Sequence, residues 1–159
     1  MSKRHRPERS SSPSPMRRTA SLTADAPMIT SEAIRGLSPA VIAALTTSQI
    51  AALNPAAVGA MTTQQIAALS TAQAEALNAG QIAALTSGQI AALGPDDLAT
   101  FSLSEMGAIT SGAIAGLTSD TITALTTAQI ARLSSTGVSG LTSGQIAAQT
   151  GKATFDALA

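Results

Sequence analysis

The stretch TTSQIAAL, residues 46–53, recurs with variations at a fixed spacing of eight residues along most of the 159-residue chain. The eight positions of the repeat are labelled a to h, starting at Ile29, so that fifteen consecutive units cover residues 29–148. Position a is large and apolar in all fifteen units, and position f is large and apolar in every unit except the one containing Ala74. A fixed period of this length is the sequence signature of a solenoid.

Three further positions carry the signals of a helix start. Position b is Ser or Thr in twelve units, Asn in two and Gly in one, and these residue types are favoured at a helix N-cap. Pro39, Pro55 and Pro95 all occupy position c, the first helical residue, where the missing N–H has no intrahelical partner. Positions a and f then form the pair of a hydrophobic staple.

Position e, three residues after the cap, is the place at which a Gln or Glu side chain completes a capping box. It is Asp97 in one unit, Glu105 in another and Gln in seven units. The seven glutamines are Gln49, Gln65, Gln73, Gln81, Gln89, Gln129 and Gln145. Each unit is therefore predicted to form one short, capped helix.

Two other regular structures are excluded by geometry. On one continuous α-helix, an eight-residue step advances by about 80° beyond two turns, so the apolar residues would form no face. In a β-strand, a and f are separated by odd numbers of residues and would point to opposite faces. Short helices are marginal alone, so their stability must come from packing the a and f side chains of successive units.

The predicted fold is an all-α superhelical solenoid of about fifteen very short helices of about six or seven residues, each restarted by an extended cap residue. Position h is Ala or Gly in thirteen units, which suits close approach of backbones between coils. Residues 1–28 are rich in Arg, Ser and Pro, lack apolar periodicity and are predicted to form a disordered tail. After Ala148 the frame slips, and residues 149–159 are interpreted as a C-terminal cap.

Basic side chains of the tail form its candidate functional site. They are Lys3, Arg4, Arg6, Arg9, Arg17 and Arg18. The tail carries a net charge of +4 and the rest of the chain −4. The basic residues are a candidate patch for weak contact with nucleic acid or anionic lipid, for targeting or for export, and a solubilising arm is the alternative. Ser21 is a candidate phosphorylation site, because it follows Arg18 by three residues.

Residues needed for most catalytic mechanisms are missing from the array. His5, in the tail, is the only histidine, and there is no cysteine, so no histidine triad, thiolate zinc site or disulfide can form there. Asp96 and Asp97 are the only adjacent acidic pair, with no further carboxylate expected near enough to complete a metal site. We therefore expect no enzymatic activity, with no catalytic, cofactor-binding or metal-binding residues, no cofactor and no small-molecule substrate.

The acidic charge of the array disfavours nucleic-acid binding along its length. No apolar run is long enough for a transmembrane segment or a secretory signal. The default expectation is a cytoplasmic location, and secretion through a non-classical N-terminal signal is the alternative.

The stretches LTTSQI, residues 45–50, and LTTAQI, residues 125–130, resemble two kinds of bacterial repeat. They resemble the opening L-T-x-x-Q-V of transcription activator-like effector repeats, although the base-reading pair and long helices of those repeats have no counterpart here. They also look like the tandem L-T-x-x-Q-[IV]-x-A-L octapeptide arrays of bacterial repetitive proteins, many of which are secreted or surface-associated. The second resemblance covers residues 29–148 and implies architecture more than activity.

Low charge favours one of three functional hypotheses. Because charged residues make up only 11% of the chain, we expect a structural or interaction protein that binds a protein partner or self-assembles into rods or filaments. One alternative is a secreted bacterial effector whose array binds a host protein. The other is an ice- or carbohydrate-binding surface built from regularly spaced Thr at positions b and c.

Overall fold

The computed structural model describes residues 30–137 and 142–156, where all regular secondary structure is α-helical. The helices are α1 Ser31–Arg35, α2 Pro39–Ala43, α3 Thr47–Ala51, α4 Pro55–Ala60, α5 Thr63–Ile66, α6 Thr71–Glu75, α7 Ala79–Ala83, α8 Ser87–Ala99, α9 Leu103–Ala108, α10 Ser111–Ile114, α11 Ser119–Ala124, α12 Thr127–Gly137 and α13 Ser143–Asp156. The prediction of an all-α array of short helices in tandem is confirmed.

Each short helix begins at an extended cap residue in position b. At Thr46, with φ −76° and ψ 160°, the side-chain hydroxyl accepts a hydrogen bond of 3.2 Å from the backbone N–H of Gln49. The Gln49 Oε1 atom accepts a reciprocal bond of 2.8 Å from the N–H of Thr46. Both bonds of the predicted capping box therefore form, and they recur at Thr62, Ser70, Asn78, Thr86 and Ser102.

The core is a continuous column of the a and f side chains. Those at f, from Ile34 to Ile122, are at most 1% exposed, and those at a, from Leu45 to Leu133, are at most 7% exposed. Burial of each large aliphatic side chain contributes about 1.5–3 kcal/mol, which short helices need because their own backbone bonds are few. The predicted staple pairs thus form the interior of the solenoid.

Contacts between coils define how many units complete one turn of the superhelix. Helices pack on the third helix that follows, as in the pairs α1 with α4, α2 with α5 and α3 with α6. The Oγ atom of Ser31 donates to the carbonyl of Ala56, 25 residues later, and the Nε2 atom of Gln65 donates to the carbonyl of Ile34, 31 residues earlier. One coil therefore contains between three and four octapeptide units.

Small residues lie where the backbones of successive coils approach closely. A Cβ atom added to Gly116, at position h, would lie 1.8 Å from the carbonyl oxygen of Ser87. At this position, the predicted need for a small residue is confirmed. Arg132, the large exception at h, is exposed, and its Nε atom donates a bond of 3.3 Å to the carbonyl of Leu103.

Gly94, at position b, departs from the extended conformation of the other caps. Its φ of 76° and ψ of 170° separate two helical segments within α8, and it is the only residue with a positive φ in the described chain. Glycine adopts this conformation without the steric cost that a Cβ atom adds. The chain is therefore bent here by backbone conformation and not by a capping side chain.

The prediction of a new cap in every unit was wrong at Ser134. This residue lies inside α12, which continues through Gly137 without a restart. Gly137 occupies position e of this unit and supplies no side chain to close a capping box. Near the C-terminus, α13 likewise runs through residue 149, where the repeat frame slips, and ends at Asp156.

Two glycines of α10 and its C-terminal turn test the close approach between coils. We expect Gly116→Ala to lower the free energy of unfolding by about 1–3 kcal/mol, because backbone must move to admit the methyl group. A Cβ atom on Gly112 meets nothing within 4 Å, so Gly112→Ala should raise stability by about 0.5–1 kcal/mol through helix propensity. Urea denaturation followed by circular dichroism measures both, and equal effects would contradict the contact.

Candidate functional site: the glutamine ladder

The glutamines at position e are buried in the wall of the solenoid. They make up seven of the eight buried polar side chains in residues 30–137 and 142–156, and their exposed fractions range from 0 to 7%. The eighth, Thr121, also occupies position e. Position e is therefore a third buried column beside a and f, which the sequence interpretation did not anticipate.

Gln81 shows how one amide group serves two coils. Its Oε1 atom accepts a bond of 2.9 Å from the N–H of Asn78, the cap of its own helix. Its Nε2 atom donates to the carbonyl oxygens of Ile50 and Leu53, both at 2.8 Å, which lie 31 and 28 residues earlier in the chain. The acceptor end fixes the start of α7, and the donor end ties α7 to the preceding coil.

The same connection repeats along the array. At each point the amide donates to the carbonyls of an f residue 31 positions earlier and an a residue 28 positions earlier. This geometry occurs at Gln65, Gln73, Gln81, Gln89 and Gln145, and Gln129 donates to the carbonyls of Ala99 and Phe101. We call these six residues and their bonds the glutamine ladder.

The hydrogen-bonding needs of the buried a and f carbonyls explain why the ladder uses a side-chain amide. The a residue precedes the cap, so its carbonyl lies outside the hydrogen-bonding pattern of the following helix. The f carbonyl already accepts one bond, as Ile34 does from the N–H of Leu37 at 3.2 Å. Leaving a buried carbonyl unsatisfied costs about 1–3 kcal/mol. A glutamine both accepts and donates, whereas an ionised glutamate only accepts.

The ladder is interrupted in four consecutive units, where position e is Asp97, Glu105, Ala113 and Thr121. Glu105 completes a capping box by accepting from the N–H of Ser102 at 2.7 Å, but an ionised carboxylate has no hydrogen to donate to the preceding coil. The hydroxyl of Thr121 lies 3.0 Å from that of Thr118, the N-cap of its own helix.

Asp97 occupies a partly buried site within the interruption. Burial raises the pKa of its carboxyl above the ordinary value of 3.8, a hydrogen bond from the Thr71 side chain opposes this shift, and the negative charge of Asp96 adds to it. Thr71 belongs to the preceding coil. Asp97 therefore accepts a hydrogen bond from that coil, whereas a ladder glutamine donates hydrogen bonds to it.

The outer surface carries the exposed b, c and d positions. Most hydroxyls at b serve as caps, as Thr62 does by accepting from the N–H of Gln65 at 3.2 Å, whereas the side chains of Ser38 and Thr110 make no capping bond. Side chains at c face those at d one coil later: the Cγ2 atom of Thr63 lies 3.5 Å from a Cβ atom built on Gly88. The described part of this surface therefore consists mainly of small, uncharged side chains.

Neither a candidate metal site nor a membrane-spanning helix occurs within residues 30–137 and 142–156. No group of three or more His, Cys, Asp or Glu side chains there could hold a metal ion. No helix there is long and apolar enough to cross a membrane.

The basic tail residues proposed from the sequence, Lys3, Arg4, Arg6, Arg9, Arg17 and Arg18, lie outside the described residues. The candidate phosphorylation site at Ser21 lies outside them as well. Their assignments stay predictions.

Comparison with known proteins identifies one repeat family. The model of the ALTTAQ repeat matches residues 27–63 and 56–87, two overlapping segments of the array. The chain is thus similar to ALTTAQ repeats over its N-terminal units, and the phrase ALTTAQ itself occurs at residues 124–129. Searches of curated proteins and of solved structures gave no match. These findings support a tandem repeat protein.

Adjacent glutamines in α5 provide a matched test of the ladder. Gln65 is buried at 1% exposure and Gln64 is exposed. We expect Gln65→Glu to lower the free energy of unfolding at pH 7 by about 2–4 kcal/mol, because a buried carboxylate would face carbonyl oxygens without donating to them.

Gln64→Glu is the control, because it adds the same charge in the first turn of α5, where the helix dipole tolerates it. Its stability should change by less than about 0.5 kcal/mol. Lowering the pH should restore much of the stability of Gln65→Glu, since a protonated carboxyl can donate. Urea unfolding at pH 7 and pH 4 measures these effects, and equal losses in the two variants would refute the ladder.

Replacement of Asp97 by Asn should make stability less dependent on pH. Because the pKa of Asp97 is raised in the folded state, its contribution is most favourable below pH 3.8 and is lost as pH rises through the raised pKa. Asp97→Asn should therefore be more stable than the parent at pH 7 and lose this advantage in acid. Asp96→Asn, at an exposed position, is the control, and parallel stability curves for parent and Asp97→Asn would contradict the assignment.

Proposed function

We propose that this repeat protein is a non-enzymatic structural element whose partner is a protein, and first of all a second copy of the same chain. The use of the buried polar side chains supports this proposal. The buried polar side chains of the described residues all lie at position e, where six glutamines join successive coils. Their hydrogen bonds therefore stabilise the wall of the solenoid. The exposed positions carry mostly small, uncharged side chains, which are better suited to contact with a protein than to catalysis.

Self-association is supported by the exposed side chain of Ile146, near the C-terminal end of the described residues. Ile146 occupies position f, a column that is at most 1% exposed from Ile34 to Ile122, yet 48% of its surface is accessible. Inside the array, an f side chain is covered because coils follow one another in a stack. A second copy stacked on this end would cover Ile146 as an interior coil covers Ile122.

Stacking of coils also offers polar complementarity. Interior coils present f and a carbonyls that receive Nε2 donors from the coil that follows, as Ile114 and Leu117 receive those of Gln145. A second copy stacked beyond Ile146 can supply such donors to the f and a carbonyls of the last described units. A second copy that extends the solenoid therefore adds both apolar burial and hydrogen bonds, and repetition of this contact builds a rod.

Two exposed large hydrophobic side chains of the described residues distinguish end-to-end from lateral association. Leu103, 47% exposed, lies at position c, and Ile146, 48% exposed, lies in the last unit. We expect light scattering of the purified full-length chain to show a mass that grows with concentration. Ile146→Ser should shift this growth to at least tenfold higher concentration, since burial of an Ile contributes about 1.5–3 kcal/mol.

Leu103→Ser is the matched control and should leave the association unchanged. If Leu103→Ser abolished association and Ile146→Ser did not, the copies would contact each other laterally and end-to-end stacking would be wrong. A monodisperse monomer over the whole concentration range would overturn self-association altogether.

A further inference from the structure

We infer that the solenoid contains a built-in seam at which it opens into two separately stable blocks. The seam is the contact between residues 61–92 and residues 93–124, the coil interface where the glutamine ladder is interrupted. The N-terminal block comprises residues 30–92, and the C-terminal block comprises the described residues from 93 onward. Neither the repeat similarity nor the proposed self-association implies such a division.

Hydrogen bonding differs between the coil interfaces on either side of the interruption. Gln65, Gln73, Gln81 and Gln89, in four consecutive units, tie residues 61–92 to the coil before them. Gln129 and Gln145 tie the last units to residues 99–117. Hydrogen bonds from glutamine side-chain amides therefore join the coils within each block.

The ladder supplies no bond across the seam. By the 31- and 28-residue offsets, the positions that would donate across it are Asp97, Glu105, Ala113 and Thr121. Two are acidic, one is Ala, and the hydroxyl of Thr121 is paired with Thr118. A hydrogen bond from the Thr71 side chain to the carboxyl group of Asp97 does cross the seam. Burial disfavours the charged form of this carboxyl group.

What remains at the seam is mainly apolar packing. α8 packs on α10 and α11, and α7 packs on α9. The backbones also approach closely, as at Gly116 and Ser87. In a solenoid, the free energy of unfolding is approximately a sum of terms for each unit and for each interface between neighbours. The interface that lacks hydrogen bonds from the ladder glutamines is therefore the one that opens first.

The covalent junction between the blocks is also unlike the other unit boundaries. Gly94 joins them with a φ of 76°, and as a glycine it provides no capping side chain. Opening of the seam can therefore proceed by rotation about one glycine, without breaking a capping box. A rod divided in this way extends between two folded blocks and exposes apolar coil faces only while it is open.

Hydrogen exchange of the full-length chain, measured by mass spectrometry at increasing urea concentrations, tests the seam. In the parent, we expect residues 95–133 to exchange at lower urea than residues 63–92, with at least tenfold less protection. Glu105→Gln restores a donor toward the carbonyls of Ala74 and Leu77, 31 and 28 residues earlier, while it keeps the capping box. It should raise the protection of residues 95–133 by about tenfold, the effect of one added buried hydrogen bond.

Ser104→Gln is the control on the same helix, because position d is exposed and an amide there has no carbonyl of the preceding coil to reach. A specific gain with Glu105→Gln supports the seam. The inference is overturned if both blocks of the parent exchange together with one urea dependence, or if Glu105→Gln protects no more than Ser104→Gln does.

Discussion

A helix of five residues leaves most of its backbone N–H and C=O groups without intrahelical partners, and this constraint determines the rest of the solenoid. At most helix starts the cap side chain accepts from a backbone N–H group, and a capping box adds a second bond where position e is Gln or Glu. The inward-facing carbonyls at f and a need donors from elsewhere, and the ladder glutamines of a later coil provide them. A single side-chain amide thereby meets both demands, as Gln81 does with Asn78, Ile50 and Leu53.

Because the amide must reach its own cap and the preceding coil at once, it also sets the distance between coils. The apolar a and f side chains fill the space inside the resulting coil, and small residues such as Gly116 are needed where backbones meet. Apolar burial supplies most of the free energy, but packing of Leu and Ile side chains alone tolerates sliding of one coil over another. The hydrogen bonds to two defined carbonyls allow only one register.

Local features of this fold could be predicted from the sequence, because caps, staples and capping boxes act within eight residues. The prolines at position c and the alternation of a and f were sufficient for that purpose. The number of units per coil and the second role of Gln65 could not be predicted, because they depend on which residues 28 and 31 positions apart come together. One signal was present: a capping box accepts Glu as readily as Gln, yet position e is Gln seven times and Glu once.

The capping box and the hydrogen bonds to the preceding coil place different requirements on position e. Glu105 completes the capping box with a bond of 2.7 Å, so its helix forms normally, but an ionised carboxylate cannot donate to the carbonyls of the preceding coil. Neither requirement is met in the unit of Ser134, which has Gly137 at position e and continues the preceding helix. Of the candidate site, the sequence therefore indicated the residues that belong to it but not the coil that each one reaches.

The constant offsets of 28 and 31 residues have a consequence for how such a protein changes during evolution. A ladder contact depends on separation along the chain and not on which particular unit supplies the glutamine. Duplication or loss of whole octapeptides therefore pairs every later amide with f and a carbonyls again, whereas an insertion whose length is not a multiple of the repeat breaks the phase. Genes of this kind can lengthen or shorten by unequal recombination between their own repeats, and each product inherits a working register.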